Sequence, residues 1–442
     1  MIRKLSHIDP SLAFLLALSA FFIIYTEIQT KQKGGPPAII VSDAQYYHEY
    51  IAVHLYGMEP YIPRDKKPVI KYSMGMAVTY MPGIAAGYLV SELKGLKHDY
   101  GRNYVYQRIL YYFGFIYCLL GLLFLRLILK RWIDGWIVAF VLALIFFGTN
   151  LYYYVKVMPL MSHAASFAFI TAFIHYCLRL FEKPTLRSAA GIGIFLALLT
   201  LIRPTNIVVV LFPIAYLLVQ KKTMKEKLGF IKKHILYWLL IIICMVTAFL
   251  PQMIYWHHYT GEWLYYSYRQ EKFFWAKPAL LQILFSFRKG WLVYTPLMVF
   301  IIPGAVITYR KNKTLFWAVM IFFLVNTYIV SCWWCWWYGG CFGMRPIIDS
   351  YGILAIWIGF FLQYLWQKTK PVWVATLCVM GFFTYVNLYQ TRQARINVIH
   401  YDAMSYPLYK KVFLKETPKD KEWESLLDPP DYEKAFTGER FW

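Results

Sequence analysis

Apolar runs long enough to cross a lipid bilayer recur along almost the whole chain. A spanning helix needs roughly 20 mostly apolar residues. Residues 11–29, 107–129, 135–152, 162–180, 187–202, 204–219, 235–254, 291–309, 315–332, 351–367 and 371–388 meet or approach that need. So regular a pattern leaves a soluble core no role. The balance of residues agrees, with 59% hydrophobic and only 16% charged. Aromatic residues reach 20%, which suits Tyr and Trp anchors at membrane interfaces. The expected fold class is therefore all-α membrane, with about eleven transmembrane helices.

The basic residues set an orientation. With the N-terminus (Arg3, Lys4) on the cytoplasmic side, alternate connections carry Lys130 and Arg131, then Arg179, Lys183 and Arg187. Lys221, Lys222, Lys225, Lys227, Lys232 and Lys233 follow, then Arg310, Lys311 and Lys313, then Lys368 and Lys370. Such bias accounts for much of the net charge of +23 and removes the case for nucleic acid as a partner. The pattern holds only if 76–91, which contains Pro82, does not cross once. That segment is expected to be interfacial or re-entrant, as irregular backbone at membrane depth requires protein or a hydrated cavity around it. The bundle then covers 1–390. Outside loops fall at 30–106, 255–290 and 333–350, and a polar non-cytoplasmic tail at 391–442.

The chemistry-bearing residues gather on those outside pieces. After a Gly-Gly-Pro-Pro turn, the first loop reads IIVSDAQYYHEYIAVHLYG. Its Ile51, Val53, Leu55 and tyrosines fit a helix lying on the membrane surface. Asp43 opens that helix beside Ser42, so it can act as a cap or as a carboxylate base. Tyr46 and Tyr47 follow it. Lys71 either snorkels or meets a lipid phosphate; Arg102 and Arg108 extend the same basic set. His163 enters a span from an outside turn, as a satisfied hydrogen-bonding residue or as a substrate contact. Arg203 stands in TLIRPTNIVVV, where an unpaired guanidinium is costly, and either snorkels or binds phosphate.

Arg288 and Lys289, in FSFRKGWLVYTP, lie on the face that positive-inside bias does not explain. Arg345 and Asp349, in WWCWWYGGCFGMRPIIDSYG, are spaced to pair on a helix. Aromatic rings around Gly339, Gly340 and Gly343 suit an aromatic belt or a sugar or isoprenoid. Cys332, Cys335 and Cys341 read as packing thiols, with one bridge permitted in an oxidising compartment.

Taken together, the SDAQYY, KYSMG, RPTN, RKGWLVYTP and WWYGGCFGMR segments and the span layout resemble the GT-C superfamily of membrane glycosyltransferases, over roughly residues 1–390. The resemblance implies a polyprenyl-phosphate-linked sugar as donor, a glycan, lipid or protein acceptor, and membrane lipid around the bundle. It implies Asp43 as the catalytic residue, with Arg203, Arg345, Lys71, Arg288, Lys289, His163, Tyr46, Tyr47, Arg108 and Asp349 binding substrate. It places the chain in a bacterial inner membrane with its site on the periplasmic face. Familiar members show an Asp-Glu or Asp-x-Asp pair, whereas Ala44 and Gln45 follow Asp43 here. That departure favours one carboxylate, with no cofactor and no metal expected. The competing expectations are a lipid-linked oligosaccharide ligase or polymerase, and a transporter or flippase.

Overall fold

The computed structural model describes residues 9–32, 38–59, 69–220, 223–368, 370–416 and 419–439. Arg3, Lys4, the Gly34–Pro37 turn, Lys221 and Lys222 lie outside them. The described chain is all-helical, with one isolated bridge between Phe273 and Trp333 in place of any strand. Seven helices among the described residues are long and apolar enough to cross a membrane. They are Pro10–Gln32, Asp99–Leu129, Ser162–Glu182, Ile235–Thr260, Lys313–Cys332, Arg345–Trp366 and Lys370–Arg395. Gly135–Phe147, Leu186–Ile202 and Pro204–Gln220 are apolar but shorter.

Two expected runs break, for local reasons. The 291–309 run divides into Trp291–Tyr294, a 3₁₀ turn Pro296–Phe300 and Ile301–Lys311. Pro296 lacks the N–H that a continuous helix would use there. The 135–152 run ends at Phe147 and restarts as Leu151–Lys156, because Gly148 and Asn150 take up the corner.

The bundle is layered by burial. Helix Ser162–Glu182 packs between Tyr104–Leu129 and Leu186–Ile202. It and helix Arg345–Trp366 are the most enclosed of the long helices. Helix Ile235–Thr260 lies at the periphery and exposes Leu236, Ile242, Ile243 and Val246, an apolar surface suited to lipid. The two central helices begin at the same end of the bundle, with Ser162 and His163 at one start and Arg345 and Asp349 at the other. The polar residues thus converge where the core opens.

The first loop packs onto this end. Helix Asp43–Tyr56 buries Tyr47, His48, Tyr50 and Ile51 against protein, while Leu55 stays exposed. It is therefore a docked helix, not one lying free on a surface. Segment 76–91 forms helix Gly75–Leu93, with Pro82 inside it. A Cβ on Gly75 would stand 2.3 Å from the Ile202 amide nitrogen. Only glycine lets that helix start abut the end of Leu186–Ile202, which brings Lys71–Ser73 beside Arg203.

The tail also folds. Short helices Tyr406–Val412, Lys421–Ser425 and Tyr432–Thr437 bury Leu408, Trp423 and Ala435. Trp423 Nε1 donates to the Val398 carbonyl at 3.1 Å. All seven cysteines are free thiols, so the bridge permitted among Cys332, Cys335 and Cys341 is not formed.

Candidate functional site

Asp43 begins its helix from an unusual backbone. Ser42 has φ 54 and ψ −135, a region that L residues rarely adopt, and its side chain makes no capping bond. The Asp43 carboxylate is directed across the fold instead. Its Oδ2 accepts from Arg345 Nη1 at 2.9 Å, although 302 positions separate the two residues. The Tyr72 hydroxyl also faces the Asp43 carboxylate. Burial alone would raise the Asp43 carboxyl, but the charges of Arg345 and Arg203 and the Tyr72 hydroxyl hold it below the ordinary carboxylate range.

Arg203 sits where Pro204 ends helix Leu186–Ile202. Its guanidinium donates to Asp349 Oδ2 at 3.3 Å and to Ser162 Oγ at 2.8 Å. His163 Nε2 lies 3.3 Å from the same guanidinium, and His163 Nδ1 lies 3.0 Å from Asp349 Oδ1. Arginine has no acceptor and a carboxylate accepts. The tautomer that satisfies both contacts carries its proton on Nδ1 and takes the Arg203 hydrogen at Nε2. His163 is wholly enclosed and Asp349 nearly so. His163 therefore stands behind Arg203, and Asp349 holds the guanidinium from the cavity wall.

Arg345 and Asp349 do not pair with each other, contrary to the helical spacing expected of them. Residues Arg345–Ser350 form a 3₁₀ turn, in which positions four apart no longer share a face. Each goes to a distant partner instead. A third pair completes the set. Lys71 Nζ meets Glu271 Oε1 at 2.5 Å and stands over the rings of Tyr72 and Tyr268.

The three cation–carboxylate pairs line one cavity of about 450 Å³, with Ser162 and His163 buried behind its wall. Asp43, Lys71, Arg203, Arg345, Asp349 and Glu271 supply its charge, as three cation–carboxylate pairs. Ile329 and Val330 of a spanning helix give it an apolar wall. Tyr265, Tyr268, Trp334, Tyr338 and Tyr432 give it an aromatic one. Such a chamber can hold an anionic head joined to an apolar chain and present a carboxylate to a proton beside it.

Other expected residues lie elsewhere. Arg108 pairs with Glu27 at 2.7 Å on an exposed surface, away from the cavity lining. Arg288 and Lys289, expected at phosphate, are buried and bound to the tail and the 333–343 loop. Tyr47 is enclosed near Asp43 and Ser162, so it supports the wall without lining it. Tyr46 is exposed and meets Tyr72 edge-on at 5.8 Å.

Glu271, Tyr72, Ser162 and Tyr432 join the site without having been expected there from the sequence. Glu271 carried a signal, being an acid in an aromatic loop of a chain with only 23 acidic residues. Among the described residues, no group of three or more His, Cys, Asp or Glu is arranged to hold a metal ion. Comparisons of the chain with protein-family models and with curated proteins find no match.

Proposed function

We propose that this chain is a GT-C-like membrane glycosyltransferase. It moves a sugar from a polyprenyl-phosphate donor to an acceptor hydroxyl at the tail-bearing end of the bundle. The observation that carries this reading is the meeting of Asp43, Arg203 and Arg345 on one cavity with both an apolar and an aromatic wall. The proposed topology has about eleven spans: the seven long helices, the three shorter apolar ones and the broken run 291–309. Its tail-bearing end faces the periplasm across a bacterial inner membrane.

In the proposed reaction, the prenyl chain lies along Ile329 and Val330 and the phosphate lies among the guanidinium groups. The phosphate competes with Asp43 for Arg345. Asp43 then accepts the proton of the acceptor hydroxyl as that oxygen attacks C1 from the side opposite the phosphate. The new C1–O bond forms, the bond from C1 to the phosphate oxygen breaks, and configuration inverts. The bonding pair leaves with the phosphate, whose growing charge Arg203, Arg345 and Lys71 stabilise. Because the Asp43 carboxyl sits below the ordinary range, it is already deprotonated throughout neutral pH.

The test is transfer from radiolabelled polyprenyl-phosphate sugars by the purified chain in liposomes. Wild type is expected to release polyprenyl phosphate and Asp43→Asn is not. Near-normal release by that variant, with unchanged expression, would overturn the assignment of the base.

A further inference from the structure

The C-terminal segment does more than cover the bundle. Tyr432, on the helix Tyr432–Thr437, lines the same cavity as Asp43 and Arg345. Its hydroxyl donates to Asp402 Oδ2 at 2.8 Å, which fixes the ring, and 39% of the residue remains exposed. With the hydroxyl committed, the ring itself is what Tyr432 offers to the cavity.

The mounting of this wall is unusually complete. Arg288 Nη2 donates to Asp428 Oδ2 at 2.7 Å, and Arg288 Nη1 donates to the carbonyls of Asp402 and Asp428 at 3.0 and 2.7 Å. Lys289 donates to the carbonyls of Cys341 and Tyr401. The Cys341 amide donates to the same Tyr401 carbonyl at 3.0 Å. Phe436 stacks on Trp334 at 3.9 Å, and Tyr432 meets Trp337 edge-on at 5.4 Å. A Cβ on Gly340 would come within 3.1 Å of the Tyr401 ring, so glycine admits the close approach.

The chemistry of the wall points to its ligand. Arg288 and Lys289, the buried cations that anchor it, are spent on the tail and the 333–343 loop and do not line the cavity. The tail side therefore presents rings and glycine, while the cations stand at Lys71, Arg203 and Arg345. A phosphate belongs with the cations and a prenyl chain with Ile329 and Val330. The tail wall suits a neutral, ring-shaped group with apolar C–H faces and many hydroxyls. We infer that the tail wall recognises the sugar ring attached to the phosphate, and that Tyr432 is a specificity-determining contact to it. This inference rests on the glycosyl-transfer reading above.

The full chain, purified in nanodiscs, is titrated with inorganic phosphate and with the 1-phosphates of glucose, galactose and mannose. Wild type is expected to hold one of the hexose 1-phosphates more tightly than inorganic phosphate. Tyr432→Ala is expected to weaken that hexose 1-phosphate by about five- to tenfold, the worth of one aromatic contact, and to leave inorganic phosphate unchanged. Tyr432→Leu, which preserves bulk, is expected to do the same, and Tyr432→Phe to retain the preference. Equal weakening of both ligand types, or no weakening in the Ala and Leu variants, overturns the role of Tyr432 alone. If wild type holds no hexose 1-phosphate more tightly than inorganic phosphate, the sugar reading falls and takes this inference with it.

Discussion

Arg345, largely covered, and Lys289, fully enclosed, are cations at the tail-bearing end of the bundle, yet they hold different kinds of partner. Arg345 meets the side chain of Asp43, across a cavity that both of them line. Its Nε is buried with no hydrogen-bond partner, so the guanidinium keeps unspent capacity. Lys289 meets two main-chain carbonyls in a packed joint between loop and tail. Burial pulls its ammonium below the usual lysine range. A cation paired with a carboxylate beside open space can exchange that partner for a phosphate. A cation surrounded by carbonyls cannot, because leaving would strand acceptors away from water. The same residue class therefore lines an open cavity in one place and joins loop to tail in the other.

The strongest way to break this contrast is Asp43→Asn. Asparagine keeps an oxygen for Arg345 but cannot take a proton. Loss of a base of this kind costs about 100- to 10,000-fold in rate. Steady-state transfer assays are expected to show that loss in kcat, with the melting temperature lowered only by the lost charge pairing to Arg345. A variant that lost stability but kept its rate would place Asp43 with Lys289, among the assembly residues.

Lys289→Met is expected to behave in the opposite way. It removes the donor to the enclosed Cys341 carbonyl and one of two donors to the Tyr401 carbonyl, at a cost of roughly 1–3 kcal/mol in stability. The tail should loosen, read as faster protease cleavage within residues 396–439. Affinity for inorganic phosphate should hold, since Lys289 does not line the cavity. A large drop in phosphate affinity with an intact tail would restore Lys289 to the ligand site.

Why the sequence did not separate these two groups is instructive. Hydropathy located the long helices because lipid imposes a one-dimensional constraint that each segment must meet alone. It also brought Asp43, Arg203, Arg345, His163 and Asp349 into view, since polar groups stand out at the ends of apolar runs. Pairing is a different kind of information. Asp43 and Arg345 meet across 302 positions, and the Arg345–Asp349 spacing misled because the local turn is 3₁₀. Arg288 and Lys289 looked unexplained because their acceptors are mostly main-chain carbonyls, which no residue code records. The break in 291–309 was legible in Pro296, and average hydropathy outweighed it.

Acid sharpens the comparison further. The Asp43 carboxyl is held below its ordinary value in the folded chain, so its pairing stabilises the fold above the unfolded carboxylate range. That contribution is lost as pH falls through the lower, folded value. The carbonyls that hold Lys289 do not titrate there. Between pH 5 and pH 2, cavity-side stability is expected to fall, and Asp43→Asn should flatten the fall. Hydrogen exchange read separately at helix Asp43–Tyr56 and at the Lys289 joint measures it. The effect should be smaller than the losses above, because the protonated Asp43 carboxyl keeps an oxygen for Arg345.

The smallest expected effect belongs to Arg108, a cation that joins neither group. It meets Glu27 at 2.7 Å with about half of its side chain exposed. Exposed pairs contribute roughly 0–1 kcal/mol, because water already solvates both charges and ordering two long side chains costs entropy. Arg108→Gln is therefore expected to leave phosphate affinity, sugar transfer and tail protection at wild-type levels. Its melting temperature should move by no more than a degree or two and should lose its salt dependence at that pair. A loss of phosphate affinity in Arg108→Gln would mean that the boundary between ligand-holding and assembly cations has been drawn at the wrong wall of the cavity.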